Sequence, residues 1–558
     1  MPADPKALLD RYDRLKTQKA TAESFVQELA EFVCPRKAVV TRTETEGTKQ
    51  TDRQYDSTAE LAGQRLAATL HGTLTSPAQK WFSLQPRDEA LREDHDVMTW
   101  CEECADRLYA ALNQSNFDLE VAETYQDLVY LGTGALLMEE RRRRIRPQGA
   151  GTFGGFRFKA LAYGEFVIEE GEDGTVDVLF RRFTLPARIA VRLWGDRVGD
   201  EVAKKALTRP EEPVQVVHAI YPRTDRRPGR VDGLSMPWAS CYVLAGDSGG
   251  QLLSEGGYRE FPALVPRWAK SSGETYGRGP GHTAYGPTRS LNRLRELLLE
   301  ASAKAVDPPL LQKHEAVIGD VTLDPAGINV VYEDNAVQAL DLKGRFDVGK
   351  VEKEDLRAEI NDAFFVRYLQ LVDKTQMTAT EVVHRQEEMQ RLLGPTFGRL
   401  SVELLRPLVE RGFALMYRAN AFPPPPLVLQ QTGAELDTVF EGPLARAQKS
   451  VDLLAIQRKN VWLGEQVSLG NSTAADLFDA DEEGRQLAGI LGVPADIVRG
   501  KPQVDALRKA RQQGQERAAL LERLATLAEA GGKAAPLVRE LNAAVPGGVA
   551  GAMTGAGR

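Results

Sequence analysis

The stretch Thr288-Arg-Ser-Leu-Asn-Arg-Leu-Arg-Glu-Leu-Leu-Leu-Glu-Ala-Ser-Ala-Lys-Ala-Val306-Asp-Pro-Pro309 decides how this chain is read. On a helix of 3.6 residues per turn it sets Leu291, Leu294, Leu298 and Ala301 on one stripe. Asp307-Pro308-Pro309 ends it, since proline has no N–H to carry the ladder on. Residues 310–347 read as a small β-rich insertion, with turns at Asp324-Pro325-Ala326-Gly327 and at Gly344. A second helix is expected from Val351 to Val372, with Leu356, Ile360, Phe364, Tyr368 and Leu371 in register. Two helices of similar length around a small β module predict an antiparallel stalk with a tip.

Upstream, residues 1–33 read as one helix, closed by Cys34-Pro35 because the residue before a proline resists helical geometry. Residues 36–54 are expected to be an exposed loop. Helices follow at 57–74, with Ser57 as its cap, and at 96–112 and 118–131. From Ala135 to Trp268 the alternation turns to that of strands, as in Phe166-Val-Ile-Glu169, Val176-Asp-Val-Leu-Phe180 and Val214-Gln-Val-Val-His-Ala-Ile-Tyr221. One helix interrupts them at Leu185–Trp194. Residues 270–287, rich in Gly, Pro and Tyr, read as a linker into the stalk. Beyond it, 373–378 is a polar break and 379–419 is helical, with Gly394-Pro395 expected to kink or break it. Pro423–Pro426 is an extended spacer, 443–530 is nearly all helix, and the Ala/Gly/Pro-rich residues 531–558 are expected to be disordered. The fold class is α+β, mainly helical.

Bulk composition narrows the function. At 558 residues the chain is too long for one core. No apolar run reaches the ~18 residues of a membrane span, and residues 1–10 do not have the pattern of a secretory signal. Four cysteines do not make a disulfide framework, so a reduced cytoplasmic setting is expected. The formal charge of −8 disfavours tight, static DNA binding, which relies on Lys and Arg displacing counterions. It is compatible with a surface along which DNA slides, and equally with no DNA partner.

No catalytic constellation emerges. There is no G-x-x-x-x-G-K-[ST], and Gly277-Arg-Gly-Pro-Gly281 lacks the spacing of a phosphate loop. Gly-x-Ser-x-Gly is absent, and His71, His95, His218, His282, His314 and His384 never fall in an H-x-x-x-H arrangement. Cys101 and Cys104 have metal-like spacing without the second pair that zinc needs. No enzyme activity, metal or cofactor is expected. The run Arg141-Arg142-Arg143-Arg144 is the densest positive patch; it is either an exposed strand or turn, or a contact for DNA or an acidic partner.

Five segments, in order, are similar to those of the head-to-tail connecting (portal) proteins of short-tailed phages. The first is Tyr55-Asp-Ser-Thr-Ala-Glu-Leu-Ala-Gly-Gln-Arg-Leu-Ala-Ala-Thr-Leu-His-Gly-Thr-Leu-Thr-Ser-Pro77 with Trp81-Phe82. The second joins Tyr276-Gly-Arg-Gly-Pro280 to Leu291-Asn292 and Val306-Asp-Pro-Pro-Leu310. The third joins Met377-Thr-Ala-Thr-Glu-Val382 to Leu393-Gly-Pro395, Arg399-Leu400 and Glu403-Leu-Leu-Arg-Pro407. Pro443-Leu-Ala-Arg-Ala-Gln448 is the fourth, and Asp479-Ala-Asp-Glu482 with Leu491-Gly-Val-Pro494 the fifth.

The resemblance implies a portal fold assembled into a ring, usually of twelve subunits, around a central channel. It assigns 1–287 to the wing, 288–308 and 348–372 to the stem helices, and 309–347 to the clip. Residues 373–379 become the channel loop, 380–442 a kinked bridging helix and wing return, and 443–530 the crown. It implies passage of double-stranded DNA at a capsid vertex of the virion, after assembly in the host cytoplasm. The implied partners are terminase, major capsid protein, scaffold and tail adaptor, and no membrane. Lys374, Thr375 and Gln376 become candidates for sliding phosphate contacts, with a solvated loop as the alternative for Lys374; Lys304, Lys313 and Arg367 are further candidates near the stem. The competing reading is a non-catalytic scaffold or adaptor without a channel.

Overall fold

The computed structural model describes residues 3–42, 45, 47–92, 94–141, 153–226, 232–246, 250–307, 309–313, 317–318, 321, 330–332, 334, 336–339, 346–369, 391–433, 435–440, 443–469, 471–491, 493, 497–499 and 501–529. The first half runs α1 (Pro5–Val33), α2 (Thr58–Leu74), β1 (Phe82–Pro86), α3 (Glu89–Arg92), α4 (His95–Asn113) and α5 (Phe117–Leu131). Strands β2 (Leu136–Glu140), β3 (Phe156–Ala160), β4 (Phe166–Glu170) and β5 (Val176–Pro186) follow. Then come α6 (Ala187–Trp194), α7 (Gly199–Thr208), β6 (Pro213–Pro222), β7 (Trp238–Leu244), β8 (Gln251–Tyr258) and β9 (Ala263–Leu264). The helix pair is α8 (Pro280–Val306) and α9 (Phe346–Ala363), with β10 (Leu310–Gln312), β11 (Val317–Ile318), β12 (Val330–Val331) and β13 (Val337–Ala339) between them. After α9 lie α10 (Val366–Leu369), α11 (391–400), α12 (Arg406–Arg418), α13 (Leu427–Thr432), β14 (Leu436–Phe440), α14 (Pro443–Ser468), α15 (Ala480–Leu491) and α16 (Lys501–Glu529).

The chain divides into two compact units. The larger holds 1–85, 103–424 and 436–448; the smaller holds 86–102, 425–435 and 449–558. In the smaller unit α15 is tied to its neighbours by charge: Lys459 bonds Glu483, and Arg508 grips Asp481 through two nitrogens at 2.5 and 2.6 Å.

The larger unit is organised by an antiparallel sheet in the order β4-β5-β6-β7-β8. Side chains alternate between its faces. Val178, Phe180, Val217, Ala219, Ala239, Cys241 and Val243 form one face, covered by Leu8, Tyr12 and Leu15 of α1. Val214 and Val216 on the other face pack with Ala187, Ala190, Val198 and Val202 from the α6–α7 segment. Helix α1 starts on the Asp4 side chain, which accepts from the Lys6 N–H at 3.1 Å, and carries Pro5 in its first turn, where no donor is needed. Midway, the buried Lys19 ammonium donates to the Phe166 carbonyl at 2.7 Å and to that of Tyr163, pinning α1 to the start of the sheet.

Five sequence expectations are corrected. Helix α8 begins at Pro280, so half of the expected linker is helix with Pro287 inside it. Close packing explains this: a Cβ on Gly279 would come within 2.7 Å of the Leu128 carbonyl oxygen, and one on Gly281 would collide with that of Tyr130. These glycines let the helix start directly on the end of α5, and Pro280 fits its first turn. The second stalk helix ends at Ala363 rather than Val372, because Phe365 takes a left-handed φ of 57° and stacks on Trp268 at 6.3 Å. The helix also begins at Phe346, five residues before the expected Val351. Pro395 does not break the later helix; the irregularity is a π turn at Ser401–Leu405, where the Arg406 N–H reaches the Ser401 carbonyl. Pro407 supplies no N–H for the Glu403 carbonyl, which loosens the ladder there. Ser57 does not cap α2 through its side chain; Asp56 does, accepting from the Thr58 N–H at 3.0 Å.

Candidate functional site

The helix pair is anchored on a polar joint. Helices α8 and α9 pack together, and the β10–β13 and β11–β12 ladders between them are antiparallel, so the pair is a hairpin. Asn292 lies beside the apolar stripe of α8, one position past Leu291. Its Oδ1 accepts from the Tyr55 N–H at 2.6 Å and the Asp56 N–H at 3.0 Å, while its Nδ2 donates to the Thr288 carbonyl at 2.9 Å. Asp56 in turn accepts from Arg357 of α9 at 2.7 Å. One carboxylate therefore caps α2 and holds α9, and one amide ties that turn to α8. Burial alone would raise the Asp56 carboxyl; the bonds from Thr58 and Arg357 outweigh it and hold it below the usual range.

A second knot lies beside the π turn. The Arg267 guanidinium is 1% exposed and bonds Glu403 at 2.6 Å, Glu170, and the carbonyls of Gly174 at 2.9 Å and Thr275 at 3.2 Å. Glu403 also accepts from the Arg267 backbone N–H at 2.9 Å and from Arg399 at 3.2 Å. Lys270 completes the set on Glu170 at 2.7 Å. Asn292, Asp56 and Glu403 all fall within the phage-like segments, yet the sequence alone carried no role for them.

Away from the joint the hairpin changes character. Leu291 at its base is 1% exposed and Ile360 fully buried, whereas Leu297, Leu299, Val306 and Val351 are exposed, Val306 to 86%. Leu310, Leu311, Val330, Val331 and Tyr332 of the strand tip are exposed as well. The described strand residues of the tip are therefore apolar and exposed.

The expected DNA-facing residues are spread out. Lys304 is exposed on the last turn of α8, about 18 Å along the helix from Asn292. Lys313 follows β10, where its backbone N–H donates to the Ala336 carbonyl at 3.0 Å. Arg367 sits at the other end of the hairpin, past Ala363, and pairs with Asp362 at 3.1 Å. Lys374, Thr375 and Gln376 lie outside the described residues, as do Arg142, Arg143 and Arg144 and the turns expected at 324–327 and 344. Arg141 is exposed at the end of β2.

Cys101 and Cys104 are both buried on α4, and burial pushes the Cys101 thiol up to about 12, opposite to what a zinc ligand requires. Among the described residues no group of three or more His, Cys, Asp or Glu is placed to hold a metal. No helix among them is long and apolar enough to cross a membrane.

Against known proteins, the family described as bacteriophage head to tail connecting protein matches residues 5–498. The chain belongs to this family. One relative within reach of this member is named probable portal protein, from Bordetella phage BPP-1, 31% identical over 537 residues, 92% of this chain and 93% of its own. Another is the portal protein of Salmonella phage epsilon15, 28% identical over 524 residues and 91% of each chain. A solved chain from the virion of a native gene transfer agent particle overlaps 84% of this one and 99% of its own, at 12% identity and a TM-score of 0.33, too loose to bear on the fold.

Proposed function

We propose that this family member is a phage portal protein, one subunit of the ring at a capsid vertex through which double-stranded DNA is packaged and ejected. Two portal-named relatives that match nine-tenths of the chain carry the reading. The helix hairpin supports it. Its base is locked by Asn292, Asp56 and Arg357, and its outer half carries Leu297, Leu299, Val306 and Val351 uncovered. Each such side chain contributes on the order of 1.5–3 kcal/mol when fully buried, and a neighbouring copy of the same hairpin is the simplest cover in a ring.

In this reading α8 and α9 are the stem, the strands between them the clip, the preceding residues the wing and the helices after Pro443 the crown. Twelve copies close the ring. The clip receives terminase and later the tail adaptor, while the wing meets capsid protein and scaffold in the virion assembled in the host cytoplasm. The role is mechanical rather than catalytic. Lys374, Thr375 and Gln376 touch passing phosphates from the channel loop, with Lys304 and Lys313 lower on the wall and Arg367 near the loop's entry.

Native mass spectrometry with negative-stain imaging of the purified protein tests this. A closed ring of about twelve 61.4 kDa chains with a hole wide enough for a duplex, roughly 20 Å, is the expected outcome. A small oligomer without a hole at every concentration and salt tried would favour an adaptor instead.

A further inference from the structure

A cleft of about 1310 Å³ opens between the five-stranded sheet, the β2–β3 pair and α12, all within the larger unit. In a chain of net charge −8, eight Arg or Lys against three Glu line it. Two of those acids are engaged: Glu260 is held by Arg411 and Arg418, and Glu139 accepts from the Tyr258 hydroxyl at 3.0 Å. No carboxylate among the described residues lies within ion-pair reach of Arg141, Arg157, Arg197 or Arg259, all exposed at the rim.

The floor is a row set by strand register. Arg181 stands opposite His218, His218 opposite Tyr242, and Tyr242 opposite Ser254, so one polar residue from each of four neighbouring strands shares a face. His218 stacks on Tyr242 at 4.0 Å and bonds Ser240 at 3.0 Å, and its Nδ1 has no partner. Burial first, then the adjacent Arg181, hold the imidazole well below its usual range, so it is neutral. Arg181 is 8% exposed, stacks over Phe183 at 4.5 Å, and leaves Nε and Nη1 buried without a hydrogen bond. Its one carboxylate neighbour among the described residues, Glu165, is at 4.0 Å and is closer to Lys159, at 3.2 Å. A buried guanidinium this poorly compensated costs free energy, which a carboxylate brought up to it in the cleft would lower.

We infer that this cleft binds an acidic peptide segment of a partner protein, with Arg181 receiving a carboxylate on the floor and Arg141, Arg157, Arg197 and Arg259 drawing the segment in. The inference goes beyond the portal reading and does not rest on it. Carboxylates match the guanidinium fork in two-point geometry. The ledge of Leu185, Leu193 and Trp194 beside the charges suits a peptide's apolar side chains. A duplex roughly 20 Å wide carries its phosphates on a convex surface and does not reach a floor buried this deeply.

The test is fluorescence anisotropy with the purified full-length protein at low salt. The probe is a short fluorescein-labelled peptide of Glu and Asp interleaved with Leu and Phe. It should bind, weaken as salt rises, and bind roughly tenfold less tightly to the Arg157→Glu/Arg197→Glu double variant. Both sites are exposed and unpaired, so the fold is not at stake; Arg181→Met should weaken binding as well. Lys204→Glu, a surface reversal on α7 outside the cleft, should leave it unchanged. The inference falls if the rim reversal changes nothing, if Lys204→Glu weakens binding as much, or if a Lys-for-acid peptide binds equally well. It also falls if a duplex or single-stranded oligonucleotide of equal charge displaces the peptide more effectively, which would make the cleft a nucleic-acid surface.

Discussion

Arg267 and Arg181 are both almost wholly buried, with side chains 1% and 9% exposed, yet the protein treats them in opposite ways. Around Arg267 every guanidinium nitrogen has a partner, two carboxylates neutralise the charge, and a third element, the π turn, is brought in through Glu403. Around Arg181 two nitrogens are left bare, and the nearest carboxylate is at the limit of an ion pair. Buried charge costs several kcal/mol unless paired and bonded. The first region meets that cost internally and gains a rigid joint under the helix hairpin. The second leaves it unmet, as a binding surface does. Charge alone does not separate the two; the completeness of the hydrogen bonding does.

The comparison breaks first at Arg267. Arg267→Met strands Glu403 and Glu170 and the carbonyls of Gly174 and Thr275. Urea unfolding should show a loss of about 3–5 kcal/mol, the usual consequence of removing one partner from a buried pair. A loss under 1 kcal/mol would mean the knot is ornamental and the contrast with Arg181 empty.

Acid probes the start of α8, which sits against the same region. Burial first, then Arg278, push the His282 imidazole down to about 4, and its Nδ1 accepts from the Gly279 N–H at 3.2 Å. In the unfolded chain it titrates near 6.5. Between pH 6.5 and 4 the unfolded state therefore holds a proton that the folded state lacks. The stability present above 6.5 is lost as pH falls through this window, by on the order of 3 kcal/mol at most. His282→Gln should flatten the stability–pH curve there; an unchanged slope would remove this histidine from the account.

Asn292 sharpens the picture at a single amide. Asn292→Leu keeps the branched outline of the side chain but leaves the Tyr55 and Asp56 N–H groups without their acceptor. Thermal unfolding should report about 2 kcal/mol of destabilisation.

Part of this architecture was legible in the sequence. The hairpin could be read because Leu291, Leu294 and Leu298, then Leu356, Ile360 and Phe364, keep a helical step, and Leu291 and Ile360 are indeed core. The true start of α8 was hidden because Gly279, Gly281 and Pro287 look like linker residues; only the close approach of Gly279 and Gly281 to Leu128 and Tyr130 shows why the helix begins there. The break at Phe364-Phe365 has no glycine or proline to announce it and depends on Trp268, about a hundred residues earlier. Asp56 meets Arg357 across 301 positions, a pairing no local pattern contains. The positive run beginning at Arg141 was visible as composition, but the place of Arg141 itself on the cleft's rim follows from the pairing of β2 with β3. Arg181 was indistinguishable in sequence from Arg182, although strand alternation buries one and exposes the other.

The smallest expected effect is the most telling. Arg181→Met removes a buried charge that has no full partner, keeps a long side chain over Phe183, and relieves the positive field on His218. Replacing poorly compensated buried charge by an apolar side chain of similar length is neutral or stabilising, so the urea midpoint should stay level or rise, by under ~1 kcal/mol. The same variant should bind the acidic peptide less tightly. Stability held and binding lost together mark a residue kept for a partner; a loss of stability comparable to that of Arg267→Met would make Arg181 a second structural rivet, and the two regions would no longer differ in kind.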